Sequence, residues 1–339
     1  MNTLIPTKLV GPIKIISSGC RHEIKVPLAT FETPLWFSVS RGGRVANRAE
    51  GIQVTLVQES MTRSILMEAE DAASALSVIN SLDTCRETME QLVIESSRFT
   101  KLVAWHTQIV GSLIYLRFSF TTGEAAGHNM STKAAEVLQQ WLLNRYPELK
   151  YLSISGNYCV DKKNSSVNGI LGRGKYVIAE AVIPRDTCYA YLHTYPENIV
   201  DLNIKKNLLG SIISGGVRTA NAHFANMLLA FYLATGQDAA NIVEGSQGFT
   251  YAEVRDGALY FSVTLPNIIV GAVGSGKKLA SIEANLADLF NSMGNDILET
   301  KSRQLAVAAA AVVWCGELSL LAAQCTPGAL MRSHIALER

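Results

Sequence analysis

Residues 149–154, Leu149-Lys150-Tyr151-Leu152-Ser153-Ile154, lead into Ser155-Gly156-Asn157-Tyr158-Cys159-Val160-Asp161-Lys162-Lys163, and the reading of the whole chain turns on this stretch. The first six residues read as a strand, and the next nine give up all hydrophobic periodicity. A loop of small, polar and charged residues directly after a strand is where a scaffold presents chemistry. Asp161, Lys162 and Lys163 place one acid and two amines on one turn. Taken alone they are a solvated basic turn, since exposure is the default for charge. Aimed into a cleft, the Lys162 ammonium would instead stabilise a developing oxyanion.

Upstream of this stretch the pattern alternates between strand and helix. Residues 65–67 read as a strand and 72–82 as an amphipathic helix. Residues 102–110 and 113–120 read as strands meeting at Gly111-Ser112. Ala134, Val137, Leu138, Trp141 and Leu142 give 131–146 a helical period, and 149–154 close the series as a strand. Strand-helix-strand-strand-helix-strand is the ferredoxin-like order. The sequence therefore predicts an α+β fold: a ferredoxin-like unit over 64–153, inserted into a larger helix-and-strand unit made of 1–63 and 154–339. In the larger unit, 4–16 read as extended segments and 176–184 as a strand. Residues 221–235 read as a helix, 251–265 as two strands joined at Asp256-Gly257, and 303–323 as a buried Ala-rich helix broken by Pro327-Gly328.

Composition narrows the function. A chain of 339 residues, 48% hydrophobic, has enough material for a large core and two domains. A charged fraction of 17% and a net charge of +1 carry no footprint for nucleic acid or an anionic membrane. Cys20, Cys85, Cys159, Cys188, Cys315 and Cys325 form no CxxC pair and no metal-ligand spacing, so they read as free thiols, with no metal expected. No basic-apolar-small leader opens the sequence, and the apolar run 305–315 falls short of the roughly 20 residues that span a bilayer. The expectation is a soluble cytoplasmic protein.

Four further blocks carry a family pattern together with the 155–163 loop. They are Pro27-Leu28-Ala29-Thr30-Phe31-Glu32; Arg117-Phe118-Ser119-Phe120-Thr121-Thr122-Gly123-Glu124-Ala125-Ala126-Gly127-His128-Asn129-Met130; Asn221-Ala222-His223-Phe224-Ala225-Asn226 with Gly236-Gln237-Asp238-Ala239-Ala240; and Gly316-Glu317-Leu318-Ser319-Leu320 with Arg332-Ser333-His334. In this order and over nearly the whole chain, the sequence resembles the catalytic portion of 3-hydroxy-3-methylglutaryl-coenzyme A (HMG-CoA) reductase, class I type.

The resemblance implies two hydride transfers from NADPH that convert the HMG-CoA thioester to mevalonate and free coenzyme A, in a homodimer or higher homo-oligomer with sites between subunits. It gives Glu32 as proton donor, Lys162 as oxyanion stabiliser, Asp238 as the carboxylate that keeps Lys162 charged, and His334 as the acid that protonates the departing thiolate. It gives Ser38 and Arg41 to coenzyme A. Arg63, Ser155, Asp161, Lys163, Lys206 and Asn226 go to the HMG portion. It gives Ser97, Arg98, Glu124, Ala125, Ala126, Gly127, His128, Asn129, Met130 and Gly271 to the cofactor.

The chemistry suits these residue types. An Arg fork holds a carboxylate bidentately, backbone N–H groups at a helix start take a pyrophosphate, and an acid among Leu28, Phe31, Leu35, Trp36 and Phe37 would be desolvated. His223 reads as structural. The sequence departs from the family pattern at Thr33, Glu124, Ala126, His128, Val217-Arg218-Thr219-Ala220 and Lys277, where the family has Thr. Two other readings fit the same residues: a reductase of another acyl-coenzyme A on this scaffold, and a coenzyme A ester-binding protein without turnover.

Overall fold

A computed structural model describes residues 3–294 and 300–338, without the side chains of Ser333, His334, 337 and 338. Strands β1 (Thr7–Ser17) and β2 (Cys20–Ala29) form an antiparallel hairpin, and helix α1 (Pro34–Arg48) follows with Pro34 in its first turn. Strand β3 (Ile52–Glu68) is 17 residues long and serves two sheets. Its first half pairs with β1 and with β7 (Gly174–Ile183), up to Ser60 opposite Gly174. From Met61 opposite Phe120 onward it pairs with β5 (Leu113–Thr121). The join between the two units expected from the sequence is thus a continuous strand rather than a linker.

The second sheet runs β4 (Lys101–Val110), β5, β3, β6 (Lys150–Ser153), with every neighbour antiparallel. Helices α2 (Ala72–Ser81), α3 (Arg86–Ser96) and α4 (His128–Arg145) contact this sheet. Its core is formed by Ile65, Met67, Phe118, Phe120, Leu138 and Leu142. The helical periodicity seen from 72 extends further than the sequence suggested: a short 3-10 turn, Asp83–Cys85, hands the chain from α2 to α3.

The first sheet, β2-β1-β3-β7-β9-β8, is completed by β8 (Phe249–Arg255) and β9 (Ala258–Ile268). Helices α5 (Phe224–Ala234), α6 (Ala280–Met293) and α7 (Lys301–Gln324) enclose the core on this sheet, and α8 (Ala329–Glu338) ends the chain. The fold is α+β. Helix α5 begins at Phe224 rather than 221, because the side chain of Asn221 accepts the Phe224 N–H and donates to the carbonyls of Ser246 and Gly248. Helix α7 has 24 residues and is long and apolar enough to cross a membrane, but 94% of its apolar window is buried inside the protein. It is the central core helix. A Cβ on Gly42 of α1 would lie 2.2 Å from the Cys315 carbonyl oxygen, so α1 and α7 touch backbone to backbone. Glycine inside a helix costs about 1 kcal/mol; here it permits the contact that seats α1 with its half-buried Ser38 and Arg41.

Candidate active site

The 154–165 loop is held open by its neighbours. The Ser64 hydroxyl accepts the Tyr158 and Cys159 N–H groups at 3.1 Å each, and the side chain of Asn168 donates to the Val160 carbonyl at 2.8 Å. Asn157, Val160 and Lys162 all have left-handed φ values (56°, 47° and 55°). That conformation is strained for Val and unusual for Lys, and persists only where the surroundings over-determine it. The Lys162 N–H donates to Glu244 Oε1 at 3.1 Å. Arg173, whose side chain is fully buried, reaches Glu244 Oε1 at 2.8 Å and lies 3.0 Å from Asp161 Oδ1. Burial raises the Glu244 carboxyl above its ordinary range, with Arg173 opposing.

This backbone arrangement projects the Lys162 ammonium onto Asp238 Oδ2, 2.7 Å away. Asp238 sits after α5, where its side chain also accepts the Ala240 N–H at 3.1 Å. The hydrogen bond that Lys162 donates to Asp238 raises its ammonium above its usual range, against desolvation. Burial alone would raise Asp238, but the Lys162 hydrogen bond and the Ala240 N–H outweigh it and hold the carboxyl low. Both side chains are about two-fifths exposed, at 41% and 46%. The pair therefore lies at a cavity mouth rather than in the core. That cavity, about 490 Å³, is lined by Arg63, Ala125, Ala126, Gly127, His128, Asn129, Met130, Asp161, Lys162, Asp238 and the 273–277 turn, among others. Gly127 (φ 97°) starts α4 there, so backbone N–H groups of a long helix face the space. Arg63 Nε and His128 Nε2 are buried without hydrogen-bond partners. Burial pushes the His128 imidazole below its usual range, as does Arg173, with Asp161 opposing.

Glu32 lies elsewhere in the chain. Asn226 Nδ2 donates to Glu32 Oε2 at 3.1 Å, and both line a second cavity of about 380 Å³ with Ser38, Arg41, Arg44, His223 and Ser319. The two cavities share no lining residue. Phe31 is 71% exposed and Phe37, which lines the same cavity, is 49% exposed, so aromatic rings enclose Glu32 less than the sequence suggested. Arg41 Nε donates to Ser319 Oγ at 2.9 Å, which fixes the guanidinium at the cavity wall. His223 Nε2 meets the Gly316 carbonyl at 3.0 Å, while the fully buried Glu317 accepts the Ala222 and His223 N–H groups and the Thr250 hydroxyl.

Other expected site residues stand apart from both cavities. The Glu124 carboxylate accepts the Lys301 and Ser302 N–H groups at 3.1 and 2.8 Å, capping α7, because a carboxylate beside free helix N–H groups binds them. Gly271 lies beneath the glycine loop: a Cβ there would be 2.3 Å from Ala126 N, so its part is to let the loop approach. Ser155 is exposed and bonded to Ser153, and Lys163 is exposed with its amine on the Asp161 carbonyl. Lys206 is held by Asn207 at 3.0 Å, and burial lowers its ammonium, opposed by Glu317. Ser97 ends α3, and Arg98 stacks on Phe99 with its guanidinium carbon 4.6 Å from the ring centre. The side chain of His334, on α8, lies outside the described residues. Sequence reasoning missed Arg173 and Glu244. The signal available was Gly172-Arg173-Gly174, whose two glycines have positive φ on either side of a buried Arg.

Comparison with known proteins gives the family and the fold. The family model for hydroxymethylglutaryl-coenzyme A reductase matches residues 2–339. The chain is 42% identical over 337 residues to 3-hydroxy-3-methylglutaryl-coenzyme A reductase of Pyrococcus horikoshii, covering 99% of this chain and 81% of that one. It is 39% identical over 336 residues to the Aeropyrum pernix protein of the same name, covering 99% and 79%. In fold it is similar to the class II 3-hydroxy-3-methylglutaryl-CoA reductase of Streptococcus pneumoniae bound to NADPH. The TM-score is 0.74 at 18% identity, covering 96% of this chain and 86% of that one. With its strand-borne loop, its Lys–Asp pair and its full-length match, this chain belongs to the hydroxymethylglutaryl-coenzyme A reductase family.

Proposed function

We propose that this chain is an NADPH-dependent HMG-CoA reductase that reduces the thioester twice, to mevalonate and free coenzyme A, as a cytoplasmic homodimer. The observation that carries this reading is the Lys162–Asp238 pair, 2.7 Å apart, at the mouth of the cavity under the α4 N-terminus. The cavity's residues fit a dinucleotide: helix N–H groups at the start of α4, small residues and a buried His128 Nε2 without a hydrogen-bond partner. NADPH, when bound, supplies the hydride at each step. Lys162 stabilises the oxygen that becomes negative at each reduction, and Asp238 keeps that amine charged and aimed. Glu32, held by Asn226, supplies protons to the oxygen. His334 protonates the departing thiolate from the C-terminal helix. Arg63 and Asp161 hold the HMG carboxylate and hydroxyl from the Lys162 side, while Ser38 and Arg41 hold coenzyme A from the Glu32 side. Residues 64–153 act as the inserted ferredoxin-like cofactor unit, a role supported by the antiparallel order β6-β3-β5-β4.

Because Glu32 and Lys162 line separate cavities of one chain, a complete site needs a second copy that brings one cavity rim against the other. The reading is tested by following absorbance at 340 nm with NADPH and HMG-CoA, then with acetoacetyl- and succinyl-coenzyme A. Oxidation with HMG-CoA alone is expected. Turnover only with another ester would move the substrate assignment, and none with any ester would end the enzymatic reading.

A further inference from the structure

We infer that the Lys277 ammonium is the counter-ion for a phosphate of the bound dinucleotide, an assignment that rests on the reductase reading above. Lys277 lies on the 273–277 turn, which lines the same cavity as Ala125–Met130. The two walls are joined by the Ala125–Val273 bridge and by the Ala272 N–H donating to the Glu124 carbonyl at 2.8 Å. Only 9% of Lys277 is exposed. Its amine donates to the carbonyls of Thr235 (3.1 Å) and Gly236, which uses two of its three N–H groups.

The charges around the cavity do not balance. Arg63, Lys162 and Lys277 face two carboxylates, Asp161 and Asp238. Asp238 is taken by Lys162, and Asp161 lies against Arg173. Among the described residues no carboxylate is paired with Lys277, and burial pulls it down to about 8. A buried cation without a charged partner is costly, and a ligand's anion in the same cavity removes that cost on binding. A phosphate supplies that anion, and the free N–H groups at the start of α4 suit it too.

The test is direct binding of NADPH and NADH, without HMG-CoA, followed by nicotinamide fluorescence for wild type, Lys277→Arg and Lys277→Met, with thermal unfolding as the folding control. Wild-type affinity for NADPH is expected to weaken as pH rises from about 7 to about 9, because the ammonium is lost through that interval. Arg63, His128, Asp161, Lys162 and Asp238 also face the cavity; of these, His128 is shifted below its usual range, Asp238 is held low and Lys162 is raised, so none of those three changes charge in that interval. Lys277→Met is expected to weaken NADPH about tenfold or more at pH 7 and to flatten the pH dependence, whereas Lys277→Arg keeps the affinity and also flattens it. Equal loss for both nucleotides locates the contact at the diphosphate, and loss confined to NADPH locates it at the 2′-phosphate. Folded Lys277→Met binding both nucleotides within twofold of wild type overturns the assignment. So does wild-type affinity that is flat across the interval, a result that needs no variant to fold. Wild type that binds neither nucleotide fails the reductase reading itself, and this inference with it.

Discussion

Removing the Lys162 ammonium leaves Asp238 without its ion-pair partner, at the point where the proposed mechanism develops negative charge. Lys162→Ala is expected to abolish NADPH oxidation at 340 nm while HMG-CoA binding, followed by calorimetry, stays detectable; near-normal turnover would remove Lys162 from the chemistry. The pH behaviour follows from the same pair. Asp238 is held low, so its contribution is lost only as pH falls through a depressed carboxyl pKa. Lys162 is raised, so its contribution is lost only as pH rises through an elevated amine pKa. Between those limits both stay charged. Asp238→Asn removes the largest cause of the Lys162 shift, so the alkaline limb of the kcat profile is expected to move to lower pH; a limb that does not move contradicts the pairing. Arg173 is a different case, since its side chain is fully buried between Asp161 and Glu244. Breaking one partner of such a group costs about 3–5 kcal/mol. Arg173→Met is expected to lower stability by that order in chemical denaturation and to release the 154–165 loop, seen as faster amide exchange at 157–162.

At the scale of elements, α1 and α7 meet where Gly42 faces the Cys315 carbonyl. Gly42→Ala must push the helices apart, an overpacking strain of about 1–3 kcal/mol. Thermal unfolding is expected to show that loss, together with a raised KM for HMG-CoA, because Ser38 and Arg41 ride on α1 beside Ser319 of α7. An unchanged KM in a destabilised variant would separate the helix contact from substrate binding. Much at this scale is legible from sequence. The alternating runs 102–110 and 113–120 are β4 and β5, and the Ala-rich 303–323 lies within α7. Other features are not. Residues 86–96 present few apolar positions, with Met89 and Val93 buried, so α3 has a weak period. β3 reads as a short strand because its first half alternates less strictly than a half-buried strand would, with Val57 outward and Ser60 buried.

For the whole molecule, the separation of the Glu32 and Lys162 cavities makes an assembly prediction. If the site is shared between subunits, Glu32→Gln and Lys162→Ala chains, each inactive alone, regain about a quarter of wild-type activity when mixed in equal amounts and allowed to exchange, because half the dimers are mixed and each carries one intact site. No recovery after demonstrated exchange would place both groups in one subunit's site. Motif order and residue type were enough to identify the family, because its pattern lies in short contiguous blocks in a fixed order along the chain, and they singled out Glu32, Lys162 and Asp238 as candidates. Only the tertiary structure showed that Glu124 caps α7, that Arg173 and Glu244 brace the lysine loop, and that Glu32 and Lys162 open onto different cavities. Those facts depend on which distant backbone N–H group or buried carboxylate a charge finds when the chain packs, and no local spacing records that choice.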